Sequence, residues 1–267
     1  MAQSDDVVTT APLRLMSATL DRSADGVDQA PLRPLWHWLY FLPGERQSSI
    51  GSDGHPKRGG FLPPVSLPRR MWAGGRLTFM KPLHPGSAIR RVSRIDDIQA
   101  KEGRTGALVF VKVTHEISDA TGLAIREEQD IVYRDLPASG APSAAPRAAP
   151  SGEQFSRTIL PDPVLLMRYS ALTFNGHRIH YDRSYATQEE GYPGLVVHGP
   201  LIATLLLEEL QQAYPAARVE AFEFKALSPL FDIAPFSLCG RLEGATAQLW
   251  ARGPEGQLAM QATAQLA

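Results

Sequence analysis

Apolar residues recur along this chain with two different periods. Over residues 201–214 they return at three-to-four spacing, with Leu201, Leu205 and the row Ile202, Leu206 and Leu210 set among strong helix formers, which predicts a largely buried helix. Pro200 suits the first helical position because its missing N–H would have no intrahelical partner, and Pro215 ends the run. The helix therefore begins near Gly199. Elsewhere the pattern is strand-like, at 76–81, 89–98, 107–117 and 123–133 in the first half and at 219–226, 233–242, 245–252 and 257–266 in the second. Alternation of Leu108, Phe110, Lys112 and Thr114 with Val109, Val111 and Val113 puts one strand face on a core and the other on solvent.

The order of elements repeats. Asp119-Ala120-Thr121-Gly122 and Gly253-Pro254-Glu255-Gly256 each separate the last two strands of their half, as glycine-containing hairpin loops do. Residues 35–42, LWHWLYFL, are apolar, short and closed by Pro43-Gly44, and they stand where the first half needs its helix. A helix before four antiparallel strands, twice, is an α+β chain of two similar units. Between them, residues 138–152 are rich in alanine and proline, low in complexity and without apolar periodicity, which marks a linker. The expected domains are an N-terminal module at 1–137, the linker at 138–152 and a C-terminal module at 153–267.

Residues 44–75 form a long segment rich in glycine, proline and arginine, including Gly59-Gly60, Pro63-Pro64, Arg69-Arg70 and Gly74-Gly75. Phe61 and Trp72 argue that it packs, and ordered loops of this length inside a domain are usually functional.

Composition narrows the functional classes. The net charge is −1, from 27 basic and 28 acidic residues, so no basic field exists for nucleic acid. Cys239 is the single cysteine, which excludes an intramolecular disulfide and a cysteine-rich zinc site and fits the reducing cytoplasm. The first thirty residues have no continuous apolar core, so neither a secretory signal nor a mitochondrial presequence is expected, and no run of about 18 apolar residues predicts a membrane span. No Gly-x-Ser-x-Gly elbow occurs, and Gly74-Gly75-Arg76 lacks the lysine and hydroxyl ending of a phosphate-binding loop.

The candidate chemistry is concentrated in residues 169–200, which hold Asn175, His177, His180 and His198, followed by Gly199 and the apolar helix. Histidine titrates near neutrality and can take and return a proton, whereas the unpaired N–H groups of a helix start can hold an oxygen on which negative charge develops. His177, His180 and His198 with Asp182 also admit a metal site, although their spacing matches no recognised zinc pattern.

Asn175-x-His177-Arg178-Ile179-His180-x-Asp182, followed by His198-Gly199 and the long helix, resembles the hydratase motif of the MaoC-like (R)-specific enoyl-CoA hydratases and 3-hydroxyacyl-thioester dehydratases. Over nearly its whole length the chain is similar to their two-module branch, which includes mesaconyl-CoA hydratases. The family's usual motif is Asp-x-Asn-Pro-x-His-x-Asp, so Asn175 stands where its catalytic aspartate would be and Arg178 where its proline would be. The resemblance implies a double hot dog with one site in the second half, the first half helping to form the acyl pocket. It implies a cofactor-free, metal-free hydro-lyase that hydrates a 2-enoyl-CoA or dehydrates the 3-hydroxyacyl-CoA, with a short, branched or dicarboxylic acyl group, and that works as a monomeric double hot dog or a homodimer of it. His180 would be the catalytic histidine, Asn175 would orient water through its carbonyl and amide, and Gly199 would supply the oxyanion hole. His198, Arg178 and Trp72 would line the substrate site, Arg178 through a carboxylate or phosphate. Asp182 would fix the His180 ring or cap local backbone. Two alternatives stay open: a non-catalytic acyl-thioester-binding or partner subunit, since asparagine cannot act as a base, and a hot-dog thioesterase.

Overall fold

The computed structural model describes residues 1–103, 106–135 and 146–267. The first half runs β1 (Ala2–Val7), α1 (Thr10–Thr19), β2 (Arg69–Phe79), β3 (Ala88–Gly103), β4 (Gly106–Asp119) and β5 (Gly122–Arg134). The second runs β6 (Phe155–Ile159), α2 (Pro163–Leu172), α3 (Gly199–Ala213), β7 (Val219–Ala226), β8 (Phe236–Glu243), β9 (Thr246–Arg252) and β10 (Leu258–Leu266). All pairings are antiparallel in a single sheet ordered β1-β3-β4-β5-β2-β7-β10-β9-β8-β6. Each half thus orders its five strands identically, first-third-fourth-fifth-second, so the internal repeat read from the sequence holds at the level of topology.

The halves join where β2 pairs with β7, from Gly74↔Lys225 to Thr78↔Ala221. A Cβ at Gly74 would stand 2.5 Å from the Phe224 carbonyl oxygen, so glycine is required where the two backbones approach most closely. This seam accounts for the Gly74-Gly75 pair.

α3 supplies the core of the second half. Every residue from Leu201 to Leu210 is buried, and the helix packs on β6, β8, β9 and β10. Two of those buried residues are acidic. Glu208 meets Arg22 at 3.3 Å and Arg33 at 3.2 Å, both from the first half, and accepts the Trp36 indole N–H at 3.1 Å. Glu209 pairs with Arg157 of β6 at 2.7 Å. Charges this deep persist only when paired, and the Glu208 set ties the first half to the second half's helix.

The first half does not repeat that helix. Where a helix over 35–42 was expected, only one 3-10 turn forms, Trp36–Leu39. Leu35 before it has φ +69°, a left-handed conformation that breaks helical continuity. Trp36 and His37 fill the space instead, His37 and Trp38 both bonding to the buried Glu127 carboxylate at 2.9 and 3.0 Å. Residues 138–145 of the expected linker lie outside the described residues. The following stretch docks on the β9–β10 hairpin through Leu258 N to Arg147 O, 2.7 Å, and Ala149 N to Gly256 O, 2.9 Å. Among the described residues no helix is long and apolar enough to cross a membrane.

Candidate functional site

His180 closes a 3-10 turn, Arg178–His180, beyond the end of α2. Two bonds hold it to the strand-like segment before α3: Val196 N–H donates to the Ile179 carbonyl at 2.9 Å, and His180 Nδ1 lies 2.7 Å from the Val196 carbonyl. A carbonyl can only accept, so Nδ1 carries the hydrogen and Nε2 presents a bare lone pair. Only 8 % of the residue is exposed. Burial pushes its pKa down to about 4, opposed by the Val196 bond, so the ring is neutral at pH 7 and able to receive a proton.

His198 lies face to face with it, ring centres 3.7 Å apart at 19°. The Ser170 hydroxyl meets His198 Nε2 at 2.8 Å, while Nδ1 finds no partner among the described residues. Burial, then the neighbouring His180 and His177, hold His198 well below the ordinary histidine value. His198 is also the N-cap residue of α3, so the next backbone N–H belongs to Gly199. That N–H meets no acceptor among the described residues, and a Cβ built on Gly199 would touch nothing within 4 Å. An unpaired donor at the positive end of a 15-residue helix, open on its substrate side, is a ready position for an oxyanion.

Asn175 follows a strained turn. Phe174 takes φ +48° at the end of α2, and Asn175 N–H closes back on the Ser170 carbonyl at 2.8 Å. This is a left-handed helix cap made without glycine, at a cost of about 1 kcal/mol. The Asn175 side-chain oxygen accepts His177 N–H at 3.1 Å. One lone pair of that oxygen serves this Asx turn, and its second lone pair and the NH₂ carry no further bond among the described residues.

The long loop of the first half enters here. Asp53 O accepts Arg178 N–H at 2.9 Å, and a Cβ on Gly54 would stand 1.8 Å from the Gly176 carbonyl oxygen, so the two glycines permit direct backbone contact between the halves. His55 is thereby set 4.1 Å, centre to centre, from His177, whose ring meets His180 edge-on at 5.5 Å. Burial, followed by the Arg70 charge and then His180, lowers His55 to about 3. Burial, then His55 and His180, lowers His177 to about 2. Four neutral imidazoles thus run His55, His177, His180, His198. His55 is the member the sequence did not disclose, because nothing local links it to the motif.

Three expected residues have other occupations. Asp182 accepts from Arg178 Nε and from Tyr185 N–H, both at 3.0 Å. Val196, not Asp182, fixes the His180 tautomer, and Asp182 instead caps the turn that follows. Arg178 is held by Asp182, by the Ser52 carbonyl at 3.0 Å and over the Tyr185 ring at 4.2 Å, so its guanidinium is occupied within the protein. Trp72 makes edge contacts with Trp38 and Phe224 at 5.0 and 5.8 Å and donates its indole N–H to Gly74 O at 2.9 Å. Those are the contacts of a residue packed at the β2–β7 seam. The metal set containing Asp182 is not assembled; instead Asp53, His55 and His177 present ligand-capable atoms within 4.8 Å of one another.

Fold and site together define a double hot dog with one histidine-centred centre at the start of its long helix. Residues 35–232 match the family described as hydroxyacyl-thioester dehydratase type 2, and the chain belongs to that family. It is 50% identical to the mesaconyl-C(4)-CoA hydratase of Chloroflexus aurantiacus, over 99% of this chain and 94% of that protein. It is 30% identical to the mitochondrial hydroxyacyl-thioester dehydratase type 2 of Schizosaccharomyces pombe, over 88% of each. Among solved structures it is similar in fold to a MaoC-like dehydratase from Phytophthora capsici, TM-score 0.74 at 14% identity, covering 100% of this chain and 94% of that one. It is also similar to HtdX from Mycobacterium tuberculosis, TM-score 0.70 at 17% identity over 99% of both.

Proposed function

We propose that the protein reversibly hydrates a 2-enoyl-CoA to the 3-hydroxyacyl-CoA, with His180 as acid and base. His180 Nε2 takes a proton from water as the water oxygen bonds to the β carbon of the conjugated thioester. The displaced π electrons pass to the thioester oxygen, where the Gly199 N–H and the α3 dipole receive the charge. The imidazolium then returns its proton to the α carbon, which restores both the carbonyl and the neutral ring. Dehydration is the same path reversed. Asn175 Nδ2 can hold the water oxygen but takes no proton.

The observation that carries this reading is the His180 Nδ1 to Val196 O bond of 2.7 Å, since it leaves the other nitrogen basic and unprotonated beside an open helix start. The 50% identical relative is named for mesaconyl-C(4)-CoA, which supports an acyl group with a branch and a second carboxylate. The reading includes a cytoplasmic enzyme that acts as a double hot dog monomer or a dimer of it, with no cofactor.

The test is depletion of enoyl absorbance on mixing the purified protein with crotonyl-CoA and with mesaconyl-C4-CoA. Turnover of either supports a hydratase. Asn175, standing where the family motif has aspartate, favours a second reading, a binding subunit without catalysis. That reading wins if neither the wild type nor Asn175→Asp consumes any enoyl-CoA.

A further inference from the structure

We propose that Asp53 and His55 of the first half and His177 of the second form an inhibitory site for a divalent transition-metal ion of the zinc class. Binding of the ion stands apart from the hydratase reading, whereas its effect on turnover rests on that reading. Asp53, His55 and His177 each bring a ligand atom to within 4.8 Å of the other two, and among the described residues no other three histidines, cysteines or acidic residues do so. Two imidazole nitrogens and a carboxylate oxygen are a donor set that zinc accepts, with water in the fourth position.

Backbone contacts fix the three residues before any ion arrives. Ile50 bridges Pro56, and Gly51 N–H donates to the His55 carbonyl at 2.7 Å, so residues 50–56 close into a tight loop. Asp53 Oδ1 accepts His55 N–H at 3.0 Å, an Asx turn that sets these two residues relative to each other. The approach of Gly54 to the Gly176 carbonyl and the bond from Arg178 N–H to Asp53 O, 2.9 Å, then seat the loop on the motif. The His55 ring is left 4.1 Å from that of His177, so ligands from both halves face one point. Zinc holds such ligands at ~2.0–2.2 Å, and rotation of the three side chains must supply the remaining closure.

The donor atoms are free to bind. The ring nitrogens of His55 and His177 make no hydrogen bond among the described residues, and Asp53 Oδ2 has no partner there while Oδ1 serves the turn. Both imidazoles are neutral at pH 7, so each offers a lone pair without releasing a proton. Arg70 opposes a cation at both rings, and at His177 the Asp53 carboxylate outweighs it.

The position of the ion makes it an inhibitor. His177 meets His180 edge-on with ring centres 5.5 Å apart, so a dication on His177 lies one ring from the proposed base. During hydration His180 is positively charged while it holds the proton taken from water. A second cation at that distance raises the energy of the imidazolium and slows the step that forms it. The ion takes no part in the addition of water.

Titration calorimetry of the tag-free, chelator-treated protein with zinc chloride tests the site, and Co²⁺ in its place gives a visible spectrum that reports coordination geometry. One ion should bind per chain. Asp53→Asn and His55→Gln should each weaken binding ~10-fold or more, and His180→Gln should bind as the wild type does. Asp53→Asn keeps an oxygen that can accept His55 N–H, so the turn survives the loss of the anionic ligand. Saturating Zn²⁺ should lower kcat for crotonyl-CoA ~10-fold or more, a chelator should restore it, and Asp53→Asn should resist the ion. Unchanged affinity in both Asp53→Asn and His55→Gln, loss of binding in His180→Gln, or a bound ion that leaves turnover unchanged overturns the proposal. A wild type that binds the ion as expected but hydrates no enoyl-CoA refutes the hydratase reading and leaves the ion site standing.

Discussion

His180 donates its Nδ1–H to the carbonyl of Val196 at 2.7 Å, and Val196 N–H in turn bonds the carbonyl of Ile179 at 2.9 Å. The reciprocal pair fixes both the position and the tautomer of the ring by backbone groups alone. Among the described residues no carboxylate orients the imidazole, so none beside it stabilises a proton strongly. Burial sets its basicity, with its pKa near 4.

The pH dependence of activity follows from that placement. A histidine in water loses its basic form below about pH 6.5. With its pKa held down to about 4, His180 stays unprotonated as pH falls through that range. Plotted against pH, kcat/KM should therefore remain level from pH 7 to about 5 and decline only as pH approaches 4. An acid limb centred near 6.5 would contradict the buried base.

Acid should unfold the protein for the same reason. His55, His177, His180 and His198 all have folded pKa values below the ordinary one. Between pH 6.5 and about 4 the unfolded chain binds protons that the folded chain refuses, so stability is lost as pH falls through this window. Unfolding at pH 5 should take up roughly four protons from this group. Calorimetry at pH 7, 6 and 5 should show a Tm that falls at each step; a Tm independent of pH would refute the neutral row.

Gly199 separates space from donor. The position tolerates a methyl group, since a Cβ meets nothing within 4 Å. Gly199→Ala should leave Tm nearly unchanged while lowering kcat/KM about tenfold or more, because the methyl enters the space proposed for the thioester. Gly199→Pro deletes the N–H and should lower kcat by ~10²-fold or more. Steady-state kinetics with melting curves on both variants checks the pair.

The inter-half charge cluster predicts a stability contrast. The Glu208 side chain is 3 % exposed and answers Arg22, Arg33 and the Trp36 indole. Glu208→Ala strands the half-buried Arg22 and leaves the Trp36 indole N–H without its acceptor, and should cost ~3–5 kcal/mol, lowering Tm by roughly 10 °C. Glu220, 54 % exposed opposite Arg218, makes a control: Glu220→Ala should stay within about 0.5 kcal/mol. Comparable losses in the two variants would contradict the account of the junction.

How far the sequence carried depended on where the signal was local. α3 announced itself by periodicity and its Gly199-Pro200 start, and β7 to β10 by alternation and a glycine hairpin, because these elements make their own case within a dozen residues. β1 did not, since AQSDDV is polar on an edge whose pairing is set by distant β3. α2 carried a readable start that went unused: Asp162 before Pro163, its carboxylate accepting Val164 N–H at 2.8 Å. Residues 35–42 misled because apolar density there reflects filling of the first half by Trp36 and His37, not a helix. For Asp182 the sequence leaves two roles open, fixing the His180 ring or capping local backbone, and the structure takes the second, with Arg178 at the helical i, i+4 distance as its ion pair. His55 was beyond sequence reasoning altogether, since its meeting with His177 depends on backbone contact between the two halves.

The most direct test of the base is His180→Gln, which keeps a polar side chain of similar reach and removes proton transfer. Purified wild type should consume crotonyl-CoA or mesaconyl-C4-CoA, and the variant should lose ~10²–10⁴-fold in kcat while melting within a few degrees of the wild type. A folded His180→Gln protein that retains wild-type turnover would contradict the account.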